Sequence, residues 1–230
     1  MNEQQWQESR LGRFTASEIH RLLTEPTVAE KKAGEKLSKG AKTFCEEVAS
    51  EIFTGQPFQD SSTFATIRAA EWGKLQEPIA VEKYKELIYK GDEASFKYYG
   101  GGNYSFFEIG ENAGYSPDFI ADVYGEVKCP DTHTHIKYTK LRNNEDLKDF
   151  KAAYYYQMQM GMMGHKLETG HFVSFDPRMV KASLFVLTIK KDNEAQELIL
   201  SKLEAARDYV RDIITDINDL SNGKQLIYIR

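Results

Sequence analysis

Apolar residues recur along the chain at two spacings, and each spacing predicts an element. From Asp146 to Gly164 the marks Phe150, Ala153, Tyr154, Met158, Met162 and Met163 return every three or four positions, which predicts a helix. Ala41, Phe44, Val48 and Ile52 predict a second helix, closed by Gly55 ahead of Pro57. Ile199, Leu203, Ala206, Val210, Ile213, Ile217 and Leu220 predict a long amphipathic helix, broken near Ser221-Asn222-Gly223. That helix is expected to cover a sheet or to meet another subunit. Ser61 to Lys90 reads as a long helical region that Pro78 interrupts, with Glu77 before the proline biased away from ideal helical geometry. A further helix is expected near residues 132–141, with Lys137 and Lys140 on one face and Arg142 beyond. Thr15, with Glu18 three positions on and Ile19, Leu22 and Leu23 behind, has a capping-box pattern, so a short helix is expected to start near Ala16.

Alternation marks the strands. Ser95–Tyr99 and Tyr104–Ile109 flank Gly100-Gly101-Gly102-Asn103 and predict a hairpin. His171–Phe175 and Ser183–Ile189 are dense in Phe, Val, Leu and Ile, with the turn signal Asp176-Pro177-Arg178 between them, and predict core strands. Residues 116–128 predict another hairpin. Asp118 opens its first strand, Val123–Glu126 can turn tightly because Gly125 tolerates positive φ, and Glu126 to Lys128 lie on the second strand. Residues 26–40 read as a loop. Its lysines, Lys31, Lys32, Lys36 and Lys39, suit a solvated surface or a phosphate backbone.

Composition adds limits. The 230 residues are 41% apolar and 28% charged, which fits one domain with a sizeable core near residues 60–190 and a helical extension over 192–230. No apolar run is long enough for a membrane span, and the first residues lack an apolar signal core. Cys45 and Cys129 are too few for a disulfide framework or a four-cysteine metal site, which points to a reducing, cytoplasmic setting. A net charge of −5 argues against coating nucleic acid with the whole surface, and leaves room for a cleft or channel of local positive charge.

The candidate chemistry sits on the 116–128 hairpin. Successive strand side chains alternate, so Glu126 and Lys128 share one face, Val127 takes the other, and Asp118 can reach the first. Carboxylate oxygens suit Mg²⁺, and a lysine can orient or help deprotonate water, or stabilise charge on phosphorus. The spacing alone fits an exposed hairpin with a surface ion pair equally well. A helix starting near Ala16 would offer free N–H groups to an anion, with Ser17 in its first turn and Arg10 just before. An ordinary capped helix beside a surface arginine fits the same residues.

Several separated stretches occur together in one order. They are Arg10-Leu11-Gly12 with Thr15-Ala16-Ser17-Glu18, Trp72-Gly73-Lys74 with Glu77, Ser116-Pro117-Asp118, Glu126-Val127-Lys128-Cys129-Pro130, Tyr154 with Gln157-Met158-Gln159, and Asp176-Pro177-Arg178. In these the chain resembles the lambda-exonuclease-type viral recombination nucleases of the PD-(D/E)XK superfamily. The resemblance implies an α/β, restriction-endonuclease-like core with a mixed central sheet flanked by helices. It implies that Glu77, Asp118, Glu126 and the Val127 carbonyl ligate a divalent metal, Mg²⁺ with Mn²⁺ as substitute. Lys128 resembles the catalytic lysine. Gln157, or else Gln159, resembles the helix glutamine near nucleophile or substrate. Arg10 and Ser17 resemble a pocket for a terminal 5′-phosphate. The implied activity is 5′-to-3′ degradation of one strand of linear double-stranded DNA, leaving 3′ overhangs for single-strand annealing. The implied partners are a homotrimeric ring of this chain and a single-strand annealing protein, in a bacterial cytoplasm and encoded by a phage or mobile element. The alternatives are a PD-(D/E)XK endonuclease, a helicase-coupled nuclease domain, or a non-catalytic DNA-end-binding protein.

Overall fold

Two β-hairpins joined by a helical crossover build the main sheet. A computed structural model describes residues 1–58 and 64–220. The first hairpin is β5 (Phe119–Ile120) with β6 (Tyr124–Lys128), and the second is β7 (Thr169–Phe175) with β8 (Leu184–Lys190). Both hairpins are antiparallel, while β6 and β7 run parallel and pair Glu126 with Phe172 and Lys128 with Ser174. Parallel neighbours need a long crossover. Here it carries α5 (Thr132–Tyr138) and α6 (Asn144–His165). Strand β2 (Lys97–Tyr98) extends the sheet beyond β5, giving the order β2-β5-β6-β7-β8.

Helices cover both faces of this sheet. Alternation along β6 sends Tyr124 into the larger core with Phe172, Met158 and Met162 of α6. It sends Val127 to the other side, with Val173 and with Ala80, Val81 and Tyr84 of α4 (Phe64–Leu87). The larger core continues through α3 (Lys39–Thr54) and α7 (Asn193–Asp219), where Phe44, Val48, Ile199, Leu203 and Val210 are buried. A smaller sheet, ordered β1-β4-β3, joins β1 (Phe14–Thr15), β3 (Phe107–Glu108) and β4 (Ala113–Tyr115). Two further helices are α1 (Glu3–Arg10) and α2 (Val28–Lys32). Among the described residues no helix is long and apolar enough to cross a membrane.

Several expectations are corrected. Lys97–Tyr98 and Phe107–Glu108 do not pair with each other. β2 joins β5, and β3 joins β4, because Gly101 and Gly102 take positive φ (60° and 97°) and turn the chain away. The central turn lies at residues 121–123, closed by Ala121 N–H donating to Val123 O at 3.0 Å. Gly125 is a strand residue with a steric task, since a Cβ there would lie 2.3 Å from the Phe119 ring. Pro78 sits inside an unbroken α4. Proline removes one backbone donor, and the buried Ala80, Val81 and Tyr84 hold the helix through it.

No helix starts at Ala16. Thr15 is committed to β1, opposite Gly114, and the chain then makes a single 3₁₀ turn, Ile19–Arg21. The lysine-rich loop contains α2, capped by Thr27. Helix α6 is interrupted at Lys151, whose φ of −152° and ψ of 73° are not helical. The expected helix start at Ser61 and break at Ser221–Gly223 lie outside the described residues.

Candidate active site

The antiparallel register of β5 and β6 brings Asp118 back against the second strand. Asp118 N–H donates to Gly125 O at 3.1 Å, and Asp118 Oδ2 accepts from Val127 N–H at 2.5 Å. Glu126 points the opposite way from Val127 and is 1% exposed. A buried carboxylate needs donors. Glu126 has three: Lys128 Nζ at 2.5 Å and Gln157 Nε2 at 2.6 Å on Oε1, and the Tyr124 hydroxyl at 3.2 Å on Oε2. Glu77, from α4, accepts from the Tyr98 hydroxyl at 3.0 Å.

Glu77, Asp118, Glu126, Lys128 and Gln157 line one cavity of about 260 Å³, and Arg10 and Ser17 line it too. Seven of the eight residues singled out from the sequence therefore meet in one place. The eighth, Val127, gives its backbone N–H to Asp118 and its side chain to the core under α4. Gln159 is elsewhere. Its Nε2 donates to Lys190 O at 2.9 Å and its Oε1 accepts from Asp192 N–H at 3.0 Å, which ties α6 to the start of α7.

Burial pushes the Asp118 carboxyl well above the usual carboxylate range, and the charges of Glu126 and Glu77 push it the same way. Burial raises Glu77 as well, against the pull of the Tyr98 hydroxyl and Lys128. For Lys128, burial draws the ammonium down, but Glu126 and Asp118 outweigh it and hold the group above its ordinary value. The Cys129 thiol, beside the site, is pushed up to about 12 by burial and then by Glu77 and Asp118, so it is no nucleophile near neutral pH.

Three carboxylates around one small cavity, with Asp118 pushed up by burial and by the charges of Glu126 and Glu77, suit a divalent cation, which takes oxygen ligands and supplies positive charge. Carboxylate oxygens are the donor type that Mg²⁺ or Mn²⁺ takes. In the arrangement seen, protein donors engage these carboxylates. Among the described residues no three His, Cys, Asp or Glu side chains are gathered tightly enough to hold an ion by themselves.

Arg10 reaches the cavity from the last turn of α1. Its Nη2 donates to Ser17 Oγ at 3.1 Å, and Ser17 Oγ also lies 3.1 Å from Thr15 Oγ1. The guanidinium sits 4.5 Å over the Trp6 ring, and Trp6 Nε1 donates to Ser116 Oγ at 2.8 Å. Burial lowers the Arg10 pKa, against Glu18 and Glu51. With no helix at Ala16, an anion here would meet side chains rather than a helix terminus.

Sequence reasoning missed Tyr98, Tyr124 and Trp6. Tyr124 carried one available signal: it lies two positions before Glu126 and so on the same strand face. Tyr98 is distant in sequence and carried none, while Trp6 lies four positions before Arg10, a spacing that signals contact only once a helix is expected there, and none was.

The fold is that of known nucleases. An alkaline exonuclease from Laribacter hongkongensis, LHK-Exo, superposes with a TM-score of 0.67 at 22% identity, covering 94% of this chain and 99% of that one. The same enzyme in complex with dAMP gives 0.63 at 23% identity, with the same coverage. A phage related exonuclease from Haemophilus somnus 129PT gives 0.66 at 20% identity, covering 89% and 96%. The mixed sheet flanked by helices is thus a PD-(D/E)XK-type core. No curated protein matches the chain. Residues 5–168, which run from before Arg10 to beyond Gln157 and contain every side chain lining the 260 Å³ cavity except Glu3, match the YqaJ-like viral recombinase domain, and the chain belongs to that family.

Proposed function

We propose that the protein is a metal-dependent 5′-to-3′ exodeoxyribonuclease acting on linear duplex ends. The observation that carries this reading is the single cavity lined by Arg10 and Ser17 together with Glu77, Asp118, Glu126, Lys128 and Gln157. A pocket for a terminal phosphate beside a hydrolytic centre makes an exonuclease. An endonuclease has no use for one. A non-catalytic end-binding protein needs no lysine hydrogen-bonded to a buried glutamate.

Mg²⁺, or Mn²⁺ in its place, would be held by Glu77, Asp118, Glu126 and the Val127 carbonyl, and would supply Lewis acidity and a more acidic bound water. The chain's own groups do the rest. Arg10 and Ser17 grip the terminal phosphate and so fix which phosphodiester lies beside the carboxylates. Glu126 holds Lys128 and Gln157 in place through its Oε1. Lys128, kept charged by Glu126 and Asp118, orients the attacking water and stabilises charge developing on the phosphoryl oxygens. Gln157 donates beside the same point.

A ring-shaped homotrimer reconciles the net charge of −5 with DNA binding, because only the bore needs positive charge. A single-strand annealing protein is the proposed recipient of the 3′ overhang, and a phage or mobile element in a bacterial cytoplasm the proposed setting. The test is digestion of linear duplexes with and without a 5′-phosphate, in Mg²⁺, in Mn²⁺ and in EDTA. Faster loss of the 5′-phosphorylated strand, abolished by EDTA, is expected. Digestion from the 3′ end, or equal rates on both ends, overturns the reading.

A further inference from the structure

The small cavity is not the only space at the candidate centre. A second, open cleft of about 1030 Å³ shares Lys74, Glu77 and Lys128 with it. Glu77 and Lys128 therefore stand at the junction of a small pocket, which Asp118, Glu126 and Gln157 also line, and a large groove. Among the described residues the groove is lined by five cations and two carboxylates; Lys74, Lys128 and Arg178 are paired with Glu3, Glu126 and Asp176, and Arg68 and Lys151 add positive charge that suits a polyanion.

Its most constructed feature is the pair Trp72–Arg178. Arg178 is locked from behind. Its Nε and Nη2 donate to Asp176 at 2.7 and 3.1 Å, and Nη2 also reaches Pro130 O at 3.2 Å. Asp176 is fully buried and takes Thr132 Oγ1 at 2.5 Å, so the anchor is itself fixed. The guanidinium lies 4.8 Å over the Trp72 ring, yet the Arg178 side chain stays 48% exposed. Beneath it, the Trp72 indole N–H is sheltered from solvent and donates to nothing among the described residues. A buried donor without an acceptor is costly, and an acceptor brought by a ligand removes that cost. Lys151, where α6 is interrupted, lines the same groove with its ammonium 5.6 Å from the Tyr154 ring, which Lys128 approaches to 4.8 Å.

We infer that the groove carries the 3′-ward continuation of the strand being cut, with Arg178 and the Trp72 N–H holding one phosphodiester on that side of the scissile bond. The inference rests on the nuclease reading. The terminal phosphate occupies the small pocket, the scissile bond lies at the junction, and the open groove, which shares Glu77 and Lys128 with that pocket, takes the rest of the strand. An arginine pre-set by a buried carboxylate grips an anionic oxygen with little ordering cost. Trp72 and Arg178 are thus positioning residues, setting the strand's register against Lys128.

The test uses 5′-phosphorylated linear duplexes whose first linkage is normal and whose second or third phosphodiester is replaced by a neutral methylphosphonate. Single-turnover cleavage of the first linkage is compared for wild type, Trp72→Phe and Arg178→Ala. Wild type should slow about tenfold or more at one of the two positions, the loss of a charge-assisted contact. Each variant should be slow on the all-diester duplex; the methylphosphonate should slow Arg178→Ala little further, because the charged contact is already gone, and should slow Trp72→Phe by less than wild type, because Arg178 remains and only the N–H is lost. Arg178→Ala leaves Asp176 without its partner, so a thermal melt accompanies it. Trp72→Phe keeps the ring under Arg178 and removes only the N–H. If the methylphosphonate slows a folded Arg178→Ala by the same factor as wild type, if it slows wild type at neither position, or if Trp72→Phe cuts the all-diester duplex at the wild-type rate, the inference is overturned while the nuclease reading stands. If wild type cuts none of the duplexes in Mg²⁺ or Mn²⁺, it is the nuclease reading that fails.

Discussion

Replacing Lys128 by methionine removes the ammonium and keeps most of the stem, so it separates charge from packing. Two quantities should change. The first is stability. Breaking a buried ion pair by removing one partner costs about 3–5 kcal/mol when the remaining charge is left bare. Glu126 is not left bare, because Gln157 Nε2 at 2.6 Å and the Tyr124 hydroxyl at 3.2 Å remain. Lys128 itself is 24% exposed, so water can reach the vacated place. The expected loss is therefore smaller, roughly 1–2 kcal/mol, close to one charge-assisted hydrogen bond. The second is rate. If the ammonium orients water and stabilises phosphoryl charge, its removal should cost on the order of 10²-fold in single-turnover cleavage, or about 2.7 kcal/mol of barrier. Divalent-cation binding should survive, since no ligand has been removed. Urea unfolding, rapid-quench cleavage and calorimetric Mn²⁺ titration measure the three. A variant that cleaves at the wild-type rate refutes the catalytic role and makes the Lys128–Glu126 pair a structural ion pair. A variant that loses Mn²⁺ binding shows instead that the ammonium organises the carboxylates.

Asp118→Asn should abolish metal-dependent cleavage and raise the metal-free melting temperature, because it relieves the repulsion from Glu126 and Glu77 while an amide oxygen can still accept from Val127 N–H; an active variant contradicts the first half and a less stable one the second. Arg10→Ala should shrink the rate advantage of 5′-phosphorylated over 5′-hydroxyl duplexes, measured as a ratio, whereas an equal slowing of both substrates would assign Arg10 to general backbone contact or to the fold. Asp176 is held down at about 2, burial opposing and Arg178 and Thr132 prevailing, so its contribution is complete above the unfolded value near 4 and is lost as pH falls from about 4 toward 2. Urea midpoints over that window should fall more steeply for wild type than for Asp176→Asn, by on the order of 1 kcal/mol after allowance for the half-exposed Arg178; parallel slopes would show that the ion pair adds nothing.

Periodicity located α3, α6, α7 and both core hairpins because each buries one continuous stripe or face, and a stripe is written locally. It failed where partnership is decided at a distance. Lys97–Tyr98 and Phe107–Glu108 alternate as strands should, but alternation does not name a neighbour, and two sheets compete for them. Thr15 and Glu18 satisfy a capping pattern that never operates, because β4 takes the Thr15 backbone first. The site divides along the same line. Asp118, Glu126 and Lys128 were legible as one constellation since one short hairpin joins them, although its turn lies at residues 121–123 rather than at 123–126. Their relation to Arg10, Ser17, Glu77 and Gln157 came only through resemblance, since those residues sit on three other parts of the chain. The choice between Gln157 and Gln159 was closed to sequence. The two point to different sides of α6, one to Glu126 and the other to Lys190 and Asp192.

What lets α6 deliver Gln157 is the near absence of side chains one and two turns further on. Gly161 lies under the Tyr124 ring, where a Cβ would come within 2.2 Å, and Gly164 lies under Tyr115 at the same distance. Each glycine replaces side-chain volume with an aromatic ring from a strand, so the helix axis approaches the sheet closely at its C-terminal half. Gln157 is four positions before Gly161, on nearly the same face, and therefore hangs over β6. The Tyr124 ring that fills the space above Gly161 carries the hydroxyl that bonds Glu126 Oε2. Packing and chemistry are thus coupled through one side chain. The ring sets how near α6 can come, and its hydroxyl and the glutamine that α6 brings bind the two oxygens of the same buried carboxylate. A Met and Gly run that looks like plain core, Met158 to Gly164, is in this way what fixes the distance between the glutamine and the glutamate of the proposed catalytic centre.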